Sequence, residues 1–153
     1  MDRENLFKAK TTVKNEGMSF NNIWIEGDLI KSGGKYYIHP RSNSVSVEGE
    51  LGKIIVMHEV QEDTICHCSG KEYMDSDIAW EGDIFESQVS GDLMVLRYGI
   101  YQAFCPVDQQ FMDSVGFYAE CKGLPDMPIG DLKDYALKKG NIFDNPELLE
   151  VLS

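Results

Sequence analysis

The stretch WIEGDLIKSGGKYYIH, residues 24–39, contains two apolar runs separated by a turn. Apolar and polar residues alternate over residues 22–30, which is typical of a half-buried strand. Lys31, Ser32, Gly33 and Gly34 have the composition of a turn, and a second strand-like run follows at residues 35–39. The sequence therefore predicts a β-hairpin made of residues 23–30 and 35–39.

Short runs of the same kind recur along the rest of the chain. Most of the seven tyrosines and seven phenylalanines lie within them, and aromatic residues suit a pleated, half-buried surface. The further predicted strands are residues 44–48, 53–58, 64–68, 83–88, 93–98, 100–105 and 115–121. Many short strands with regular turns predict a mainly β, antiparallel fold, either a partly open barrel or two small barrel-like sheets.

Helix is predicted at only two places. Residues 108–112 have the composition of a single helical turn, and residues 145–152 that of a short C-terminal helix. In the second, Asn145 is a suitable N-cap, and Pro146 would occupy the first helical position, where its missing N–H is harmless.

The length of 153 residues fits one domain, here residues 1–153, and two β-rich halves at about 1–69 and 80–153 are a subdivision of it. No run approaches the roughly 18 apolar residues of a membrane span, and the N-terminus lacks the apolar core of a signal peptide. We therefore expect a cytoplasmic protein, without membrane contact, whose four cysteines are reduced.

Charge is the strongest bulk signal. The chain has 14 basic and 26 acidic side chains, a net charge of −12, and no cluster of Lys and Arg larger than a pair. Because a phosphate backbone would be repelled, we expect no direct binding of nucleic acid. Negative charge ordinarily serves solubility, but a surface that docks on a basic protein is the alternative. The residues of that candidate partner surface are Glu59, Glu62, Asp63, Asp75 and Asp77.

The tripeptide Glu-Gly-Asp occurs twice, each time before two apolar residues, and contains Gly27 and Asp28 in the first copy and Gly82 and Asp83 in the second. Glycine accepts positive φ, and aspartate hydrogen-bonds its own backbone in turns. The pattern predicts a structural turn before a strand in both copies. A catalytic pair of carboxylates is disfavoured, because no neighbouring residue in the sequence is forced into register to shift a pKa.

The cysteines offer a second candidate for chemistry. Cys66 and Cys68 flank His67 and would lie on the same face of a strand. Structural zinc sites usually show paired knuckles, and only one C-x-C is present here. Buried, reduced cysteines are the favoured interpretation, so we expect neither a metal nor another cofactor.

Two segments carry a resemblance to a known family. WEGDI at residues 80–84 and GNIFDNPELL at residues 140–149 resemble motifs of the YopX family, small proteins of bacteriophages and prophages. LFKAK at residues 6–10 is also similar to the family's opening, whereas HCSG at residues 67–70 departs from its usual Gln-Tyr-Thr-Gly. The resemblance implies a phage setting and a β-rich fold. The family has no established biochemical activity, so it implies no catalytic residues.

Together these observations predict a non-enzymatic accessory protein, encoded by a phage or prophage, that binds another macromolecule in the bacterial cytoplasm. A protein is the expected partner, and homo-oligomerisation is left open. One alternative is an acidic, DNA-mimic-like inhibitor of a host nucleic-acid-binding or defence protein. Another is a small enzyme or metal protein that uses Cys66 and Cys68.

Overall fold

A computed structural model describes residues 6–12, 22–40, 47–49, 52–54 and 57–152. The protein is mainly antiparallel β, with 58% strand, and its strands form two larger sheets, one of them a curled half-barrel, and a separate two-stranded sheet. Within the described residues a single short α-helix lies at the C-terminal end. The predicted fold class is thereby confirmed.

The chain divides into two compact units, Met1–His67 and Cys68–Ser153. The boundary falls inside one strand, β7, so the second unit begins ahead of residue 80. The strands of the first unit run in the order β6-β3-β2-β1-β7, and β4 pairs with β5. Its elements are β1 (Phe7–Lys10), β2 (Trp24–Ser32), β3 (Lys35–Pro40), β4 (Val47–Gly49), β5 (Gly52–Ile54), β6 (His58–Val60), a 3₁₀ turn (Glu62–Thr64) and the start of β7 (Cys66–Glu72).

The core of the first unit lies on one face of β1, β2, β3 and β6. Ala9, Ile38 and Val60 are buried, and half-buried Ile25 and Leu29 pack against them. Ala9 faces Ile25 across β1 and β2, and Leu29 faces Ile38 across β2 and β3, so these apolar positions share a face. The predicted hairpin of residues 23–39 is confirmed.

The prediction of one strand over residues 53–58 is wrong. β5 ends at Ile54, and β6 begins at His58, after Met57 outside any strand. β5 pairs with β4, whereas β6 pairs with β3, so the apolar run serves two different partners. Of the strand predicted at residues 44–48, the first three residues lie outside the described residues, and the last two belong to β4.

The second unit contains a five-stranded sheet with the order β12-β11-β10-β9-β13, and β7 also pairs with β8. Its largest buried side chains include Tyr73, Phe85, Leu96 and Leu132. Its elements are the end of β7, β8 (Ile78–Trp80), β9 (Asp83–Ser87), β10 (Leu93–Cys105), β11 (Gln110–Glu120), β12 (Met127–Pro128), a 3₁₀ turn (Leu132–Asp134), β13 (Ala136–Asn141) and α1 (Glu147–Leu152).

Two predictions in the second unit are wrong in the same region. Residues 93–98 and 100–105 form one strand of 13 residues, β10, rather than two. Residues 108–112 are not helical, because residues 106–109 form a turn and β11 begins at Gln110. Cys105 pairs with Gln110, so the turn closes a long hairpin and leaves no room for a helix.

The predicted C-terminal helix is confirmed as α1, but Asn145 does not cap it with its side chain. The Asn145 carbonyl accepts the N–H of Leu148 at 3.1 Å. Its side-chain Oδ1 instead accepts the backbone N–H of Asn141 at 3.1 Å. The side chain thus stabilises the turn before the helix rather than the helix itself.

Candidate functional site

Asp83, from the second Glu-Gly-Asp copy, is a completely buried carboxylate at the start of β9. Its Oδ2 accepts hydrogen bonds from the Tyr73 hydroxyl at 2.9 Å and from the backbone N–H of Trp80 at 2.8 Å. The ammonium group of Lys138, on β13, lies 3.5 Å from its Oδ1. A buried charge needs such partners, and these three tie β8, β9 and β13 together.

Tyr73 is suited to donate this bond and unsuited to proton transfer. Burial, followed by the negative charge of Asp83, raises the pKa of the Tyr73 phenol far above its ordinary value of 10.0. The phenol therefore stays protonated at physiological pH. Because Tyr73 and Asp83 are both buried, a substrate could not reach them, and the pair is a structural one.

The segments at residues 80–84 and 140–149 lie against each other. Gly140 faces Ile84 and Asn141 faces Asp83 across β13 and β9. The N–H of Ile142 donates to the Gly82 carbonyl at 2.9 Å. The motifs are therefore two parts of one structural junction.

The Asn141 side chain organises the second of these segments. Its Oδ1 accepts the N–H groups of Phe143 at 2.9 Å and Asp144 at 2.8 Å. Its Nδ2 donates to the Asp144 carboxylate at 3.1 Å. A Cβ added at Gly140, near the end of β13, would collide with the side chain of Asn145, which would have to move. The motif GNIFDN is thus a self-bonded turn.

The two Glu-Gly-Asp copies have different structural roles. Gly82 lies in a turn with φ of 90°, a conformation that favours glycine. The predicted turn at Gly27 and Asp28 is wrong, because both residues lie inside β2. Gly27 is needed for another reason: a Cβ there would collide with the backbone carbonyl of His39 on β3.

Asp28 also differs from its counterpart Asp83. Its side chain is about half exposed, and its Oδ2 lies 4.0 Å from Nδ1 of His39. Asp83, by contrast, is completely buried and accepts hydrogen bonds from Tyr73 and Trp80. The two Glu-Gly-Asp aspartates therefore lie in different units and differ in burial.

The candidate acidic surface is divided between the units. Glu59 lies 3.7 Å from the Lys35 ammonium, and Glu62 and Asp63 are exposed on the 3₁₀ turn of the first unit. Asp75 and Asp77 are exposed in the second unit, where Asp75 Oδ1 accepts the Asp77 N–H at 3.2 Å in a tight turn. Asp75 and Glu59 therefore already have local contacts, a hydrogen bond within a turn and an ion pair respectively.

The cysteines are free thiols, and three of them are buried. The Cys66 thiol donates to the Thr64 carbonyl at 3.2 Å, and burial raises the pKa of the Cys121 thiol. A raised pKa disfavours the reactive thiolate. Among the residues that the structure describes, no group of three or more His, Cys, Asp and Glu side chains is placed to hold a metal ion. Cys68 is buried on β7.

A long hairpin in the second unit provides a different kind of surface. β10 pairs with β9 only through Leu93, Met94 and Val95, and β11 pairs with β12 only through Tyr118 and Ala119. In the described strands, residues 98–105 and 110–117 therefore pair only with each other. We call residues 98–117 the arm. At about 3.4 Å per residue, it is roughly 25 Å long.

Most side chains on one face of the arm are apolar. Directly opposed residues of an antiparallel pair share a face, as do alternate residues along each strand. This face, here called the arm face, consists of the opposed pairs Tyr98–Phe117, Ile100–Val115, Gln102–Asp113 and Phe104–Phe111.

The arm face is also the more exposed of the two. Ile100 is 71% exposed and Val115, directly opposite, is 72% exposed. Phe104 and Phe111 are about half exposed and pack edge to face at 5.4 Å between ring centroids. The polar pair satisfies itself, because Gln102 donates to Asp113. Water-facing positions of a free ribbon are normally polar, so the usual pattern is reversed here.

Sequence reasoning missed the arm, although a signal for it was present. In residues 98–117 only Asp108 and Asp113 are charged, and there is no Lys or Arg. Charged residues are more frequent elsewhere in this acidic chain, so 20 residues with only two charged side chains mark a segment with a different environment.

Comparisons with known proteins do not extend this description, since no model of a protein family, no curated protein and no solved structure matches the chain.

In the part of the chain that the structure describes, no helix has both the length and the apolar character needed to cross a membrane.

Proposed function

We propose that this protein is a non-enzymatic binding protein whose arm is its contact surface for other protein chains. The observation that carries the proposal is the arm face, on which Ile100 and Val115 oppose each other with most of their surface in water. Contiguous exposed apolar patches on soluble proteins commonly mark sites of interaction. The functional role of the arm is therefore binding.

The chemistry of the arm favours protein over nucleic acid as its partner. Exposed aromatic rings such as Phe104 and Phe111 can stack on bases, but single-strand binders combine such rings with a basic groove. The arm contains no Lys or Arg, and the whole chain has a net charge of −12. Phosphate would thus be repelled where the rings are exposed.

The buried polar groups support a non-catalytic role. Asp83 and Tyr73, the most deeply buried ionisable pair described, bond to each other inside the core. They connect strands and have no access to substrate. The resemblance of residues 80–84 and 140–149 to the YopX family further supports an accessory role in a phage or prophage, acting in the bacterial cytoplasm.

Affinity capture from a bacterial lysate tests this proposal. The bait is the full chain, compared with the double variant Ile100→Asp, Val115→Asp. Met112→Asp is the matched control, because Met112 is about half exposed on the opposite face of the same hairpin. We expect quantitative mass spectrometry to find a protein that the wild type and Met112→Asp retain and the double variant loses.

Two other results would decide against the arm. Retention of the same proteins by the double variant would show that the arm is not the contact surface. A partner that is lost when Asp75 and Asp77 are both changed to Asn, and that dissociates as salt is added, would instead favour the acidic inhibitor.

A further inference from the structure

We infer that the arm face is covered by the arm of a second copy of this chain, which makes the protein a homodimer. This inference rests on the proposed function, because it takes the arm as a protein-contact surface. It adds that the protein chain covering the arm face is a second copy of this chain. Four features of the arm support it: its charge, its area, the packing of its side chains and its unprotected edges.

Charge favours a second copy over a basic partner. The arm contains two of the 26 acidic side chains of the chain and none of the basic ones. On the arm face the one acidic group, Asp113, already accepts a hydrogen bond from Gln102. Such a face offers almost no charge with which to select a basic protein. It is also the place where two chains of charge −12 can approach with the least local repulsion.

The area of the arm face is sufficient for a weak dimer. A fully covered aromatic side chain buries about 150–250 Å², so half-exposed Tyr98, Phe104 and Phe111, together with Ile100 and Val115, leave on the order of 500 Å² in water. Two copies would then bury roughly 1,000 Å² in total, which is about the minimum for a biological interface. We therefore expect a small interface and a dimer that dissociates on dilution.

The packing of the arm face suits an identical partner. Its apolar residues form rows of opposed pairs. The Ile100–Val115 row lies between the Tyr98–Phe117 pair at the root of the arm, next to the rest of the sheet, and the Phe104–Phe111 pair at its tip, next to the turn. Sheets pack face to face by interdigitating such rows at a separation of about 10 Å. A two-fold axis through the Ile100–Val115 row would place the same row of both copies in contact, as an isologous interface requires.

The arm also lacks the devices that keep a free strand edge from pairing. Edge strands are usually protected by Lys, by Pro or by inward-pointing charge. Strand residues 98–105 and 110–117 contain no Lys and no Pro, and Asp113 is their one charged residue. A hairpin whose strand edges lack this protection is consistent with an arm that another copy of the chain covers in the native assembly.

Sedimentation velocity of the full chain over micromolar to high micromolar concentrations tests the inference. We expect the mass to rise from the monomer value of 17.3 kDa towards twice that value. Ile100→Asp and Val115→Asp should each weaken the dimer at least about tenfold, whereas Met112→Asp on the opposite face should leave it unchanged. Asp113→Asn should strengthen it, because one buried charge per copy is removed.

Salt provides a second measurement that does not depend on a variant. Added NaCl screens the repulsion between two acidic chains, so the dimer should tighten. Circular dichroism and denaturant unfolding of each variant establish that it is folded.

The outcomes separate this inference from the proposed function. A wild type that remains a monomer at high micromolar concentration overturns the inference, as does a dimer that Ile100→Asp and Val115→Asp leave intact. Arm-dependent capture of a cellular protein would then still support the proposed function. A dimer that depends on the arm, without any captured protein, supports the inference and restricts the proposed function to contact between copies of this chain.

Discussion

The backbone N–H of Ile142 donates a 2.9 Å hydrogen bond to the carbonyl of Gly82, which joins two segments about 60 residues apart in the chain. On one side is the turn that leads into β9 and its buried Asp83. On the other is the turn organised by the Asn141 side chain. This junction explains why both segments have distinctive sequences without requiring a catalytic role for either.

Replacing Asp83 with Ala should destabilise the protein strongly. The change removes the acceptor for Tyr73 and Trp80 and leaves Lys138 without its carboxylate, so we expect a loss of about 3 kcal/mol in the free energy of unfolding. Urea denaturation followed by circular dichroism measures it. Asp28→Ala is the matched control and should change stability by less than about 0.5 kcal/mol. Equal effects would contradict the different roles of the two aspartates.

The Tyr73–Asp83 pair should make stability depend on alkaline pH. The pKa of Tyr73 is raised in the folded state by burial and by Asp83, from an ordinary value of 10.0. Above pH 10 the unfolded chain releases this proton while the folded protein keeps it. The stabilisation is therefore complete below pH 10 and is lost as pH rises further, by about 1.4 kcal/mol per pH unit.

Tyr73→Phe isolates this contribution. The variant should be less stable at pH 7 by about 1–2 kcal/mol, because the Asp83 carboxylate loses a buried donor. Its stability should fall less steeply than that of the wild type above pH 10. Denaturation curves at a series of pH values measure both effects, and parallel pH profiles would show that Tyr73 does not titrate differently in the two states.

The two glycines of the Glu-Gly-Asp copies should respond differently to substitution. Gly27→Ala places a Cβ against the His39 backbone and should cost more than about 2 kcal/mol, because β2 and β3 must separate. Gly82→Ala should cost about 1 kcal/mol from its positive φ. Asn tolerates positive φ better than Ala does. Gly82→Asn should therefore be milder than Gly82→Ala, whereas Gly27→Asn should be at least as harmful as Gly27→Ala.

The arm should contribute little to the folding of a single chain. Ile100→Asp alters a side chain that is mostly in water, so the free energy of unfolding should change by less than about 0.5 kcal/mol at concentrations where the protein is monomeric. Leu96→Ala, four residues earlier in the same strand, removes a fully buried side chain and should cost about 2–5 kcal/mol. A large loss with Ile100→Asp would show that the arm packs against the core.

Alternation and turn composition were enough to predict the fold class, the hairpin of β2 and β3 and the C-terminal helix. Each of these depends on local chemistry, such as the Gly33-Gly34 turn between β2 and β3. The length of β10 could not be predicted in the same way. Gly99 interrupts the apolar run and suggests a turn, but register with β11 continues through it because Gly99 faces Gly116.

The structural roles of residues in the junction were less accessible from the sequence. Gly27 and Gly82 occur in the same tripeptide, yet one is required by the approach of β3 and the other by a turn. Tyr73, Lys138 and Asn141 were not predicted at all, because their partners are distant in sequence or depend on the pairing of β9 with β13. Such contacts follow from strand order, which no local pattern encodes.

The separation of the arm from the rest of its sheet has an evolutionary consequence. Ile100, Phe104, Phe111 and Val115 are largely in water and contribute little to the folding of one chain, whereas Leu96 and Ala119 at the root are buried in the core. Mutations at the exposed positions are therefore only weakly constrained by selection on foldability. The arm face can diverge rapidly between descendants while the root and the junction stay constant.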